Sequence, residues 1–395
     1  MRSTTILGLA GLASLAAGLT LRTAADCDKD WKITSADATL ACDTLTGSIT
    51  VDSSLSGSLN ISGPKKITGD LTIKNATNLI SITSTSIATI GGAFTLEDLN
   101  QVQSIKFSSL DSINEVSIVK APALRSLVFG SDGVTKASTV RITNTNLDNL
   151  SSFKLSTVDS LTINDNPQMA QYDSALSNIT TELVIRDNGE NMEISMTNLT
   201  KAGEIQIGSA KSLKVPALKS ANSVKFEAND QLESFSAPNL TEVKNAVSFT
   251  NNPKLTNVSF PVLTKITGDL KIVNNTEIKI LDGFPVLASV ETMYLGGSFE
   301  EIDMPKLSSV NGLANASSTT DIQEFCKFFD SLKSANKIKG SGSKCTSNYQ
   351  DANGKSNNTS SGNNTSSNND SAAGFVGVNV AVLGLALVAG VAHLL

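Results

Sequence analysis

Chemistry-bearing side chains are scarce in this chain. Its 395 residues include one histidine, His393, which stands in an uncharged terminal tail. Without a histidine in the body of the protein, Ser-His-Asp and Cys-His catalysis and the usual zinc sites are excluded. Aromatic residues make up 5% of the chain and charged residues 17%, and the formal net charge is −6. That balance supplies no basic footprint for nucleic acid. No glycine loop of the P-loop or dinucleotide-binding type stands between a strand and a helix pattern, and no cofactor is implied. Glycoside hydrolysis needs only two carboxylates across a cleft. Glu97 with Asp98, Glu190 with Glu193, and Glu300 with Glu301 and Asp303 are therefore the remaining catalytic candidates. Nothing in their spacing distinguishes them from surface charge, and few aromatics are present to stack a sugar.

What the chain has in abundance is Ser, Thr, Asn and repetition. The stretch VKNAVSFTNNPKLTNVSFPVLTKI, Val243 to Ile266, is rewritten with small changes between Ile49 and Val310. Each copy holds an apolar–polar–apolar triplet, an Asn- or Asp-rich turn, a second short apolar pair and often a Pro-x-Leu step. Leu71/Ile73, Phe94/Leu96, Val116/Ile118, Val140/Ile142, Leu161/Ile163, Leu183/Ile185, Ile205/Ile207, Val224/Phe226, Val247/Phe249, Leu270/Ile272 and Met293/Leu295 align at a period of about 22 residues. A period of that size belongs to a solenoid rather than to a globular enzyme core.

Alternation such as Val-Ser-Phe sends apolar side chains one way and polar ones the other, as a half-buried strand requires. The second pair repeats the pattern in Leu232/Phe235, Leu255/Val258 and Ile278/Leu281. The third step begins at Pro122, Pro216, Pro238, Pro261, Pro285 and Pro305. Proline lacks an N–H and fixes φ, so these residues belong at corners or strand starts. Three short strands and three corners per repeat make one coil of a parallel β-solenoid, with about twelve coils spanning about 55 to 60 Å. A single coil cannot bury its own apolar face, so stacking is obligatory. Asn75, Asp98, Asn144, Asn164, Asp187, Asn251 and Asn274 follow the triplets. Asn and Asp tolerate the left-handed region and bond their own backbone, so this column is expected to satisfy the corners. It lacks the acidic density of a calcium cage.

Both ends of the repeat carry closing devices. Residues 1–25 open with one Arg, run through an apolar stretch and reach Thr-Ala-Ala before Asp26. This is the build of a secretory signal peptide cut after Ala25. Residues 26–48 read as an N-terminal cap, with Trp31 as its plug or, alternatively, as a sugar-stacking ring. The repeats occupy 49–320, and a C-terminal cap occupies 321–350. In that cap, DIQEFCKFFDSL places Ile322, Phe325, Phe328, Phe329 and Leu332 at helical spacing. The four cysteines flank the repeats, and their separation along a solenoid pairs Cys27 with Cys42 and Cys326 with Cys345. Each bridge closes a loop of about 15 to 20 residues, stabilising by about 3 kcal/mol. Residues 351–369 form a Ser/Asn-rich stalk that cannot bury a core. The uncharged tail from Val380 then completes a GPI-anchor signal. Asn369 is the attachment residue, with Ser371 and Gly362 as alternatives, and 370–395 is the propeptide.

These parts resemble the fungal GPI-anchored cell-wall organisation proteins with receptor L-domain-like repeats. The resemblance is carried by GPKKITGDLTIKNATNL, GVTKASTVRITNTNL, SFSAPNLTEV and FPVLTKITGDL, by the flanking cysteines, and by the stalk and tail. It spans Cys27 to Cys345. It implies an all-β, right-handed parallel β-solenoid of the receptor L-domain or leucine-rich-repeat kind, ending in a short helical cap and a disordered stalk. It also implies a secreted, non-enzymatic glycoprotein, anchored in the plasma membrane and meeting cell-wall polysaccharides or wall proteins. It brings no catalytic residues. Two other classes remain beside it, a β-helix glycanase or transglycosidase and a surface receptor or adhesin.

For an exported chain, Asn60, Asn75, Asn149, Asn178, Asn198, Asn239, Asn257, Asn274 and Asn315 are N-glycan acceptors. Strand parity turns Asn257 and Asn239 outward beside inward Val258 and Leu240, whereas Asn75 and Asn274 share the corner column. Glycopeptide mass spectrometry is expected to show higher occupancy at Asn257 and Asn239 than at Asn75 and Asn274. The reverse order would contradict the placement.

Overall fold

Val247 and Phe249 point inward and Ser248 outward, and the same parity recurs at the stacked triplets of neighbouring coils. The computed structural model describes residues 27–354. Within them the chain winds into a parallel β-solenoid of about 13 turns. Val224 and Phe226 stack on Val247 and Phe249, which stack on Leu270 and Ile272, then Met293 and Leu295, then Ala314 and Ala316. This first wall begins where Trp31–Ile33 pairs with Ile49–Val51, and it ends where Ala314–Ser318 pairs with Lys344–Thr346. The region expected to be only a cap therefore supplies the first rung.

A second wall stacks Asp37–Thr39, Ser56–Ser62, Asn78–Ser84, Ser104–Phe107 and Ser126–Phe129 in order. Shorter sheets continue it, the last pairing Ile280–Leu281 with Glu301–Ile302. The third wall, exemplified by Lys66–Ile67 on Thr44–Leu45, is not cut off from the first in every coil. Ser112–Ala121 runs through both, with a register shift between Ile113 and Glu115. A bulge bends a strand without ending it, and so the two walls merge into one 20-stranded sheet.

The corners follow from three local rules. At the proline step, Leu124 N–H donates to the Ala121 carbonyl at 3.0 Å and Leu218 N–H to that of Val215 at 3.1 Å. Pro122 and Pro216 hold the second position of these turns, where a fixed φ is required and no N–H is needed. At the corner before some triplets, the chain passes tightly against the preceding coil. A Cβ on Gly203 or Gly268 would lie 2.0 or 1.8 Å from a backbone oxygen. At the third corner one residue takes positive φ in each coil from Asn75 to Asn274, including Asn75, Asp98, Asn144, Asp187, Asn251 and Asn274. Asn164 does not share it; Asp165 does, at φ 54°, and Lys120, Ser209 and Ala228 fill the same role elsewhere. The conformation, not the side chain, satisfies the corner. It turns the N–H of Asn251 to the Val273 carbonyl at 3.2 Å and that of Asn274 to the Gly296 carbonyl at 3.0 Å in the next coil.

The side-chain ladder lies one residue further on and is buried. Asn229, Asn252 and Asn275 are at most 1% exposed. Asn252 Oδ1 accepts the Asn229 backbone N–H at 3.1 Å and its Nδ2–H at 2.8 Å. Asn275 Oδ1 does the same for Asn252 at 3.0 and 2.9 Å. Asn166 and Asn188 form a second such pair. Around these ladders the core is apolar and aromatic. Phe226 and Phe249 stack at 5.0 Å, and Phe260 and Phe284 at 5.1 Å.

Both ends are closed. Cys27 bonds Cys42 with Cα atoms 6.0 Å apart, and Cys326 bonds Cys345 at 5.4 Å. Trp31, 5% exposed, belongs to the core, so its ring is a plug and not a sugar platform. The helix Gln323–Ser334 buries Phe325 and Phe329. Packing continues past residue 350, because Ala352 is buried and Asn353 Nδ2 donates to Ser298 Oγ at 2.9 Å. The stalk expected from 351 thus starts with a short piece that lies against the solenoid.

Two measurements test this packing. Asn252→Ala leaves the buried Asn229 backbone N–H without its acceptor and takes from Asn229 Nδ2 and Asn275 Oδ1 one bond each. It is expected to lower unfolding stability by about 2 to 3 kcal/mol in chemical denaturation. Asn252→Asp, which keeps the shape but loses the donor, should be no better tolerated. Tyr172 is buried, and loss of solvation pushes its phenol from 10.0 up to about 12. The unfolded chain releases this proton first, so the contribution from the neutral phenol is intact below pH 10.0 and declines above it. A Tyr172→Phe variant should lose less stability across that interval, read by denaturation at stepped pH.

Candidate functional site

Of the carboxylates considered for catalysis, Glu97, Asp98 and Glu193 are held by lysines. Glu97 meets Lys74 at 2.9 Å and Asp98 meets Lys120 at 3.4 Å, both pairs partly exposed. Glu193 bonds Lys211 at 2.7 Å. The lysine holds the Glu193 carboxyl below its usual range, and the carboxylate raises the Lys211 ammonium. Surface pairs of this kind tie neighbouring coils weakly. Among the described residues no group of His, Cys, Asp or Glu side chains is arranged to hold a metal ion.

The polar faces carry the remaining charge. Arg186 reaches Glu227 at 3.2 Å across an intervening coil. The residue between them in the ladder is Gly208, where a Cβ would come within 3.0 Å of Arg186 Nε. A glycine inside a strand signals a close approach, and this one was the available sequence signal for the bridge. Lys225 bonds Glu204 on the same face, whose carboxylate also accepts Gln206 Nε2–H at 3.0 Å.

The acceptor asparagines fall into two groups. Asn75, Asn149, Asn198, Asn239 and Asn257 are exposed, whereas Asn60, Asn178, Asn274 and Asn315 are half-buried on the walls and corners. Asn274 Nδ2 donates to Asn251 Oδ1 at 2.7 Å, so the corner does engage it. No such bond holds Asn75. Asn239 Nδ2 donates to the Pro216 carbonyl at 2.8 Å from an exposed turn. The leader 1–25 and the anchor residues Gly362, Asn369 and Ser371 lie outside the described residues.

The third carboxylate group has different surroundings. Glu300, Glu301 and Asp303 edge a groove of about 560 Å³, together with Asp321 and Glu324, over Ile302, Met304, Ile322, Phe325 and Phe328. Asp321 Oδ1 accepts the Gln323 N–H at 2.9 Å and the Ser347 hydroxyl at 2.8 Å. These bonds hold its carboxyl below the usual range and fasten the start of the helix to the chain after the second disulfide. Glu324 bonds Lys327 at 2.7 Å. The groove was not legible in the sequence, because its two sides come from a strand near 301 and a helix near 325 that share no motif.

The described residues thus form a parallel β-solenoid closed by a disulfide at each end, with Ser-, Thr- and Asn-rich outer faces. Comparison with known proteins places it more narrowly: the chain belongs to the ecm33 family of fungal GPI-anchored cell-wall proteins. It is 33% identical over 324 residues to "Protein ecm33" of Aspergillus fumigatus, covering 80% of each chain. It is 30% identical to the "Cell surface GPI-anchored protein ECM33" of Candida albicans, over 78% of this chain and 74% of that one. It is 26% identical to the "Cell wall protein ecm33" of Schizosaccharomyces pombe, over 76% and 73%. No family model and no solved structure matches the chain.

Proposed function

We propose that this protein is a non-enzymatic, GPI-anchored glycoprotein of the fungal cell surface that contributes to cell-wall organisation and integrity. The observation that carries the reading is the capped, continuous solenoid in which Glu97, Asp98 and Glu193 pair with lysines of neighbouring coils, in a chain whose relatives are named as cell-surface and cell-wall proteins. Its action is display. The leader exports the chain, and cleavage after Asn369, or at the alternatives Ser371 or Gly362, attaches the lipid. The stalk then holds the solenoid away from the membrane. Glycans on the exposed asparagines keep the corners hydrated, while the broad Ser/Thr faces meet wall polysaccharides or other wall proteins.

Disrupting the gene is expected to change sensitivity to wall-binding dyes. A chain truncated after residue 369 should be released into the medium and fail to restore resistance. Unchanged dye sensitivity in the disruptant would count against the reading.

A further inference from the structure

At the C-terminal end the second wall stops before the first. Glu301–Ile302 pairs with Ile280–Leu281 on one side and, among the described residues, with no strand on the other. The N–H groups of Glu300 and Glu301 donate to the Lys279 carbonyl at 2.7 and 3.1 Å, and that of Asp303 to Leu281 at 2.9 Å. The first wall meanwhile continues through Ala314–Ser318 to Lys344–Thr346. Where the next second-wall strand would fall, the chain turns into the helix Gln323–Ser334. A helix bonds its backbone within itself and cannot complete a ladder. The groove described above is the space this substitution leaves, with an open strand edge on one side and helix side chains on the other.

An open edge beside a groove is a template for an added strand, in which backbone bonds give affinity and alternate side chains give selectivity. Here the floor is Ile302, Met304, Phe325 and Phe328, and the rim is acidic. Glu300, Glu301 and Asp303 make no ion pair within the described residues. From this we infer that the groove binds an extended basic peptide, lysine or arginine alternating with apolar residues, by strand addition to Glu301–Ile302. The inference rests on the reading of the solenoid as a scaffold and names the partner class of one end of it.

Other occupants fit less well. The chain's own continuation is a poor match, because residues 355–379 carry Lys355 as their one basic residue and open on Ser, Asn, Thr and Gly. A second copy could offer the strand at the opposite end, Asp37–Thr39, which pairs on one side with Ser56–Ser62. That strand brings Asp37 and adds like charge to the rim.

The test uses the full-length secreted glycoprotein and a fluorescent peptide of alternating lysine and valine, with binding read by anisotropy. Saturable binding is expected, weakening as salt rises. The double variant Glu301→Lys with Asp303→Lys should lose affinity by about tenfold or more. Methylating alternate peptide amides should cost about as much, because it removes the added ladder. Phe328→Ser leaves the charge unchanged and should also weaken binding. Equal binding of oligolysine or of glucosamine oligomers would reduce the groove to general cation capture and overturn the proposal. So would unchanged affinity in the double variant. Since the readout is a solution affinity, its failure leaves the dye phenotype untouched, and the converse also holds.

Discussion

Each coil of this protein depends on its neighbours for backbone hydrogen bonds and for burial of its apolar side chains. This requirement of stacking in register shapes the rest. Side chains alternate with a period of two, so a slip of one residue would turn Val247 and Phe249 to solvent. Register is fixed partly by the apolar set and partly by buried amides. Asn229 and Asn252 each donate to the amide oxygen of the equivalent Asn in the next coil, and Asn275 donates to the Phe249 carbonyl of the preceding one, in surroundings where an unpaired amide is costly. The close approach of Gly203 and Gly268 to backbone of the preceding coil belongs to the same constraint. So does the positive φ at residues as unsuited to it as Ala228 and Lys120. Those residues are held by the stack, since local preference alone would not place them there.

The repeat makes much of this legible in the sequence. Triplets, proline corners, terminal cysteines and the helix at 323–334 all follow from patterns within a few residues of one another. The first errors arose where neighbouring residues of similar chemistry divide the work. In NNPKL, Asn251 takes the left-handed corner and Asn252 goes inside to bond the adjacent coil. Both are Asn, and propensity assigns the corner to either. At Asn164 and Asp165 the same ambiguity gave the corner to the wrong residue. The buried column is recoverable in retrospect from its place three residues before Leu232, Leu255 and Ile278, where a turn bond joins each pair.

Charged features were less legible for a different reason. Lys74 and Glu97, Lys211 and Glu193, and Arg186 and Glu227 meet because coils stack, so their separation along the chain is a whole coil or two. Without a register these residues look like scattered surface charge. With it, the candidates for acid–base chemistry become cross-coil ties, individually weak. This is the physical reason the glycosidase alternative loses its support at Glu97, Asp98 and Glu193. Their charge is directed along the stacking axis and not across a cleft.

A stack of near-identical coils has translational surfaces, and a ligand that fits one rung nearly fits the next. Selective recognition therefore belongs where translation breaks. At the N-terminal end the break is filled by Trp31 and closed by a disulfide, which leaves the edge strand Asp37–Thr39 beside an acidic side chain. At the C-terminal end, one wall finds its last strand in Lys344–Thr346, after the cap helix, while the other is left unpaired beside that helix. The two ends thus differ: at one an edge strand stands over a plugged core, and at the other a strand edge, an apolar floor and, among the described residues, the carboxylates of Glu300, Glu301 and Asp303 without an ion pair share a single groove. A helix suffices to shield Phe325 and Phe329 and the core beneath them, and it does so without meeting the hydrogen-bonding demand of the strand edge. The capping device is adequate for stability and incomplete for pairing, and this difference gives one end of an otherwise repetitive surface a distinct chemistry.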